Sequence, residues 1–281
     1  LIVSNAHLIN HGHMPEINNR SKDFFYINTS DPAEMADTVI GLVTKRLPGY
    51  TGAAPMDIQV LGALKSGLCG VENLNNRLQD ALNPRVYGKN EINVGSHLFR
   101  VGDKVMQTAN NYELPFVKFG EGAPEQGQGI FNGDIGHIKT IDRNNGIVEV
   151  WYDDNRLATY GEAELTDLTA AYAITIHKSQ GSEFDVVVIP LVSGPPTLIN
   201  RNLLYTAITR AKRAVVLVGS KKILAMMVHN NYIAARTTNL CRFLQSEKVK
   251  YLRYFAEGAE AESTDGYPEQ MPDDIPADEE F

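Results

Sequence analysis

Apolar residues along this chain switch between two periods, and the switches outline its architecture. Phe24-Phe25-Tyr26-Ile27 is a short aromatic and β-branched run, which predicts a strand. Asp31-Pro32-Ala33-Glu34 reads as a helix start, with an N-cap carboxylate, proline at the first position and an acid at the end of the first turn. Met35, Val39, Leu42, Val43 and Leu47 recur on one face of that helix. Lys45 and Arg46 suit the negative end of its dipole, and Pro48-Gly49 is expected to stop it. The pattern then repeats, with a strand at 57–61 and a helix bearing Val71, Leu74, Leu78 and Leu82 on one side, ending at Asn83-Pro84. Strand–helix alternation of this kind implies an α/β layer on a parallel sheet.

Between about 93 and 165 the rhythm changes. Val101-Gly102-Asp103, Asn132-Gly133-Asp134 and Asp142-Arg143-Asn144-Asn145-Gly146 are turn signals between short apolar runs, and Val148-Glu149-Val150-Trp151-Tyr152 has strand character. A small β-barrel at 96–165, inserted into an α/β domain made of 1–95 and 166–256, fits this change. The glycine-rich stretch from Gly120 to Gly129 is expected to be a mobile loop within it. The α/β rhythm then resumes through the apolar run at 186–191, a helix from about Asn200, and a strand at 215–218.

Composition changes this picture in two places. The net charge of −8 argues against a polyanionic partner until its distribution is read. Ten acids and no Lys or Arg lie between Glu257 and Phe281, leaving 24 acids against 26 bases, about +2, for residues 1–256. Bulk charge therefore neither supports nor excludes nucleic acid. The tail at 257–281 is acidic, contains proline and is poor in large apolar side chains, so it is expected to be disordered unless docked. Cys69 and Cys241 are far apart with no metal-ligand spacing, which suits buried thiols in a reducing cytoplasm. The apolar runs are too short to span a bilayer, and no secretory signal is evident. His7, His11 and His13 lack a cysteine or a carboxylate pair to complete a ligand set, so no metal is assigned to them.

Two runs carry the chemistry. The first is Ala171-Tyr172-Ala173-Ile174-Thr175-Ile176-His177-Lys178-Ser179-Gln180-Gly181, followed by Ser182-Glu183-Phe184. It packs hydroxyl, imidazole, ammonium and amide groups into a few positions, a set suited to phosphate oxygens. The second is Leu203-Leu204-Tyr205-Thr206-Ala207-Ile208-Thr209-Arg210-Ala211. On a helix from Asn200 its apolar stripe leaves Thr206, Thr209, Arg210 and Arg213 on the opposite face. A planar, always-charged guanidinium held there suits a γ-phosphate during transfer; the bland alternative is a pair of solvated surface arginines.

Together these runs resemble motifs V and VI of superfamily 1 helicases, closest to the stand-alone RecD-type ATP-dependent 5′-to-3′ DNA helicases. Lys65-Ser66-Gly67, Leu74-Asn75, Asn83-Pro84, Asn110-Asn111-Tyr112, Phe131-Asn132-Gly133-Asp134 and Asn5-Ala6-His7-Leu8-Ile9-Asn10 extend the resemblance across most of residues 1–245. The resemblance implies the second of two RecA-like domains, with an SH3-like barrel inserted in it. It implies that Thr175, His177 and Ser179 lie toward the backbone of single-stranded DNA, that Gly181 and Glu183 lie at the nucleotide edge, and that Arg210 is the arginine finger. Lys65 reaches a DNA phosphate or is an exposed loop charge. Tyr112 and Phe131 stack on bases or serve only the hairpin around them. No Gly-x-x-x-x-Gly-Lys-Ser/Thr phosphate loop occurs, and the chain starts at Leu1 rather than Met. It is therefore expected to be the C-terminal half of a longer motor, with ATP and Mg²⁺ held mainly by an upstream RecA-like domain of the same polypeptide. Two alternatives stay open: a DNA-binding or regulatory module that does not hydrolyse ATP, and part of a Pif-family helicase or conjugative relaxase.

Overall fold

The aromatic and β-branched run at Phe24–Ile27 forms one edge strand of a five-stranded parallel sheet in the computed structural model. The structure describes residues 1–232 apart from 19 and 96, together with 240, 242–246 and 248. Two compact units divide the chain, Leu1–Ile233 and Ala234–Phe281. The described residues of the second unit are helical, and the acidic tail expected at 257–281 lies outside the described residues.

In chain order the first unit begins with α1 (Ile2–Asn10), β1 (Phe24–Ile27), α2 (Pro32–Gly41), α3 (Leu47–Thr51), β2 (Ile58–Gly62) and α4 (Val71–Leu82). Then come β3 (Glu91–Val94), β4 (His97–Arg100), β5 (Lys104–Gln107), β6 (Asn111–Lys118), β7 (Glu125–Ile130), β8 (Ile135–Asp142), β9 (Ile147–Tyr152), β10 (Arg156–Tyr160) and β11 (Leu168–Ala170). The unit closes with β12 (Ala173–Thr175), β13 (Phe184–Leu191), α5 (Arg201–Ile208), β14 (Ala211–Gly219) and α6 (Lys221–His229).

The parallel sheet has the order β1-β14-β13-β2-β12. Its central strand β13 is the continuous apolar run, buried on both faces as parallel strands require. Val187 and Ile189 pack with α1, α5 and α6, whereas Val186 and Val188 pack with α2 and α4. Each such side chain contributes about 1.5–3 kcal/mol when fully buried. The chain leaves this sheet after β2 and α4 and returns to it at β12. In between, β11-β5-β8-β9-β10-β6-β7 form a seven-stranded antiparallel sheet with its own core of Phe99, Val105, Ile130, Ile138, Val150 and others. The molecule is thus mixed α/β, with an all-β insert interrupting a parallel sheet.

Two local expectations are corrected. Pro48-Gly49 does not stop the helix that starts at Pro32: the chain passes through a π-helical turn at Leu42–Arg46 and continues as α3 to Gly52, whose φ of 71° ends it. The wider turn, with the Leu47 amide reaching back to the Leu42 carbonyl, lets proline enter at the start of a new α segment rather than inside the old ladder. The glycine-rich stretch is only partly loop, since Glu125–Ile130 is a strand paired with β6. Gly127 faces the Phe116 ring so closely that an added Cβ would sit 2.5 Å from it. Glycine there serves packing rather than mobility.

Two buried polar groups tie the insert to the α/β layer. Asp103 accepts from Gln79 Nε2 (2.5 Å), Asn83 Nδ2 (2.6 Å), the Arg100 amide (2.7 Å) and the Tyr172 hydroxyl (2.8 Å). A carboxylate with four donors is satisfied without a cation. Lys104, opposite His137 in the register of β5 and β8, donates to the Met56 carbonyl at 2.7 Å. Burial pushes its ammonium down to about 8, against the opposing pull of Asp153 and Asp57.

Candidate functional site

The segment Ile174–Phe184 leaves the end of β12 and turns before entering β13. Thr175 caps a 3₁₀ turn, Ile176–Ser179, its hydroxyl accepting from the Lys178 amide at 3.4 Å. Gly181 has a φ of 88°, a conformation that favours glycine, and the Ser182 amide closes back on the Ser179 carbonyl at 3.1 Å. Ser179, expected at a DNA backbone, is fully buried and donates to the Ile176 carbonyl at 2.7 Å. In this conformation it holds the turn and has no free surface to offer. His177 is exposed on another side, where with Gln180, Asn202 and Thr206 it borders a small cavity of about 160 Å³.

Thr175 and Lys178 instead line a groove of about 450 Å³ together with Lys65. Asn75 and Asn76 of α4 and His97, Met106 and Thr169 of the insert also line it. The Lys178 ammonium is held below the usual lysine range, first by burial and then by the like charge of Lys65. Glu72 also lines this groove. Two ammonium groups, the Asn76 amide and a hydroxyl lining one cleft suit an anionic, hydrogen-bond-accepting chain, whereas the Asn75 carboxamide is engaged by the Ala170 and Ala173 backbone.

Arg210 lies just beyond α5. Asn200 caps that helix, accepting from the Leu203 amide at 2.9 Å, and Leu203, Leu204, Ala207 and Ile208 bury its inner face. The half-buried guanidinium turns toward the end of the previous segment. Nη1 donates to the Ser182 carbonyl at 3.1 Å, Nε to Thr206 O at 3.3 Å and Nη2 to Thr209 Oγ1 at 3.4 Å. The backbone joins there too, with the Phe184 amide donating to the Arg210 carbonyl at 2.8 Å. Among the described residues no carboxylate lies in ion-pair range of Arg210, so its charge is met only by neutral acceptors. Gly181 and Glu183 flank the Ser182 carbonyl that it touches, and Glu183 faces Lys212 at 3.4 Å with both side chains about half exposed. Arg213 does not share a helical face with Arg210: it sits on β14, paired with Asp185 at 3.4 Å and donating to Thr51 O at 2.9 Å.

Tyr112 and Phe131 come together on the insert. Their rings meet edge to face with centroids 5.6 Å apart and remain 69% and 42% exposed. Asn110 Oδ1 accepts from the Asn132 amide at 3.0 Å, and Gly133 (φ 98°) makes the turn that presents Phe131. Neither ring lines the Lys65–Lys178 groove. The structure adds residues that the sequence reading left unassigned. Lys178 stands in the segment 171–181 and Asn75 in the Leu74-Asn75 pair of the resemblance, and side-chain chemistry alone gives neither a role. Among the described residues no three or more His, Cys, Asp or Glu gather as a metal site. No helix among them is long and apolar enough to cross a membrane.

Comparison with known proteins matches residues 74–152 to the ATP-dependent RecD-like DNA helicase SH3 domain and residues 170–218 to the UvrD-like helicase C-terminal domain. The chain is 30% identical over 211 residues to the ATP-dependent RecD2 DNA helicase of Deinococcus radiodurans, covering 75% of this chain and 26% of that protein. It is 33% identical over 191 residues to the RecBCD enzyme subunit RecD of Mycolicibacterium smegmatis, covering 68% of this chain and 30% of that one. It therefore spans between a quarter and a third of the length of these relatives. Among solved structures, a Pif1 helicase from Bacteroides in complex with ADP-AlF3 and ssDNA aligns with 88% of this chain and 54% of its own at 15% identity. The TM-score of 0.42 marks that likeness as loose.

Proposed function

We propose, for a chain that belongs to the RecD-type helicases and carries their SH3 domain and UvrD-like C-terminal domain, that it is the second motor domain of an ATP-dependent DNA helicase or translocase. Single-stranded DNA runs through the groove between Lys65 and Lys178, with Thr175 toward its backbone; His177, on another side of the turn, does not line this path. Tyr112 and Phe131 offer their exposed rings to bases, where stacking contributes about 1–3 kcal/mol per base. Ser179 acts by holding the turn. Gly181 and Glu183 border the nucleotide, and Arg210 is the finger that meets the γ-phosphate. An upstream RecA-like domain of the same polypeptide holds the other phosphates and Mg²⁺. Translocation runs 5′ to 3′, by analogy with the family. The buried Cys69 thiol accords with a reducing cytoplasm.

One observation carries this reading. A single short segment reaches from the groove, at Thr175 and Lys178, to the guanidinium of Arg210, at Ser182. Motion of a phosphate chain in the groove and charge on a nucleotide at Arg210 thus act on the same turn. The Arg210 contacts, to neutral acceptors at 3.1–3.4 Å, are weak enough for a phosphate to replace. A finger of this kind contributes roughly 10³–10⁵ in rate in other nucleotide hydrolases.

The chain of 281 residues by itself is expected to hydrolyse ATP no faster than background, and joining it to the phosphate-loop domain is expected to restore DNA-stimulated turnover. Robust hydrolysis by the chain alone overturns the reading. A joined protein that binds DNA but shows no stimulated turnover leaves the non-hydrolysing DNA module in its place.

A further inference from the structure

The two lysines of the groove stand on segments from different parts of the chain, here called its walls, and α4 joins them. At its N-terminus the amides of Val71 and Glu72 donate to the carbonyls of Leu64 and Lys65, each at 3.0 Å. Gly70 lies so close to the Ser66 and Lys65 backbone that a Cβ would come within 2.4–2.6 Å, so this loop is pressed onto the helix start. The position of Lys65 therefore follows α4. One turn further along, the buried Asn75 side chain reaches the other wall. Its Nδ2 donates to Ala170 O at 3.1 Å and Ala173 O at 2.9 Å, while its Oδ1 accepts from the Ala173 amide at 2.8 Å. β12 is an edge strand of the parallel sheet, and this one carboxamide takes up the outward N–H and C=O of Ala173 as a neighbouring strand would. Ala173 lies two residues before Thr175, where the groove-lining turn begins.

We infer that Asn75 is a positioning residue: its carboxamide sets the separation of the two lysine-bearing walls so that both ammonium groups engage the phosphates of one strand. This rests on the reading of the groove as the DNA path. Like charges on Lys65 and Lys178 push the walls apart, and the three Asn75 hydrogen bonds oppose that push. No other side chain hydrogen-bonds Ala173 among the described residues.

The test uses the 281-residue chain, a fluorescently labelled oligo-dT, and binding isotherms over a range of salt. Asn75→Asp keeps the acceptor for the Ala173 amide but turns both donations into carboxylate–carbonyl repulsion. It is expected to weaken binding about tenfold at low salt and to lower the slope of log affinity against log salt by about 0.7, the loss of one phosphate contact. In a Lys65→Ala background the same substitution is expected to act less than about twofold, because residues acting as a unit are not additive. Asn75→Ser, which keeps one donor, should fall between. An equal effect in both backgrounds with an unchanged slope makes Asn75 merely structural and overturns the inference, as does failure of both variants to fold. Should Lys65→Ala and Lys178→Ala themselves leave affinity and slope unchanged, the DNA path falls with it. If they matter while Asn75 acts additively, only the role of Asn75 falls.

Discussion

Removing both groove lysines, Lys65→Ala with Lys178→Ala, is the perturbation whose size the structure determines most closely. Lys65 is exposed, and Lys178 is half-buried with its ammonium disfavoured by burial and by Lys65, so neither substitution removes a stabilising ion pair. Folding is therefore not the confounder it would be at a paired site. If each ammonium neutralises one phosphate of a single strand, the slope of log affinity against log salt drops by about 1.4. Between about 50 and 200 mM salt, wild type then loses about sevenfold more affinity than the double variant, and each single variant accounts for about 2.6-fold. Fluorescence anisotropy with a short labelled oligonucleotide reads this directly. Parallel log–log lines for wild type and double variant would refute the groove as a phosphate path, even if absolute affinity fell.

Three further outcomes follow from the same structure. Lys104 has its folded pKa lowered to about 8 from 10.5, so the unfolded chain binds the extra proton between those values and stability should rise with pH across that window. Denaturant unfolding at pH 7.5 and 10 should show the rise, of a few kcal/mol, and Lys104→Met should abolish it. Tyr172→Phe removes a hydrogen bond to the buried Asp103 carboxylate and should cost about 2 kcal/mol in urea unfolding; a cost near zero would show Asp103 content with three donors. Truncation at residue 256 removes ten acids and should raise single-strand affinity at low salt, with the gain shrinking as salt rises. Indistinguishable affinities would leave the tail without a role in DNA binding.

Much of the fold was legible because its strongest signals are periodic. The unbroken apolar run of β13 reads as a buried strand and is one, Asp31-Pro32 starts a helix as its side chains predict, and the helix expected from about Asn200 begins there. Features without a period are not legible in this way. The π-turn before Pro48 inserts a residue that 3.6-residue spacing does not register, and composition marks Gly127 as loop because it does not reveal that a Phe116 ring lies over it. Helical spacing carried past Ile208 placed Arg213 beside Arg210, whereas no glycine or proline marks the point at which the chain becomes β14. At the site, side-chain chemistry told which residues bear charge or hydroxyls but not which way they face. Ser179 turns inward, Lys178 turns to the groove, and Asn75 acts through a backbone 98 residues away in sequence.

The proposed coupling of groove to nucleotide rests on Arg210, and its most direct test is steady-state ATP turnover with saturating single-stranded DNA in the protein joined to the proposed phosphate-loop domain. Arg210→Ala is expected to lower kcat by about 10²-fold or more while nucleotide affinity stays within several-fold, as for a group that acts mainly in the transition state. Arg210→Lys is not expected to rescue it, because a point charge lacks the planar fork. Retention of more than about half of wild-type turnover by Arg210→Ala, against the loss expected of a finger, would contradict the assignment and leave Arg210 as a brace between Ser182 and Thr206.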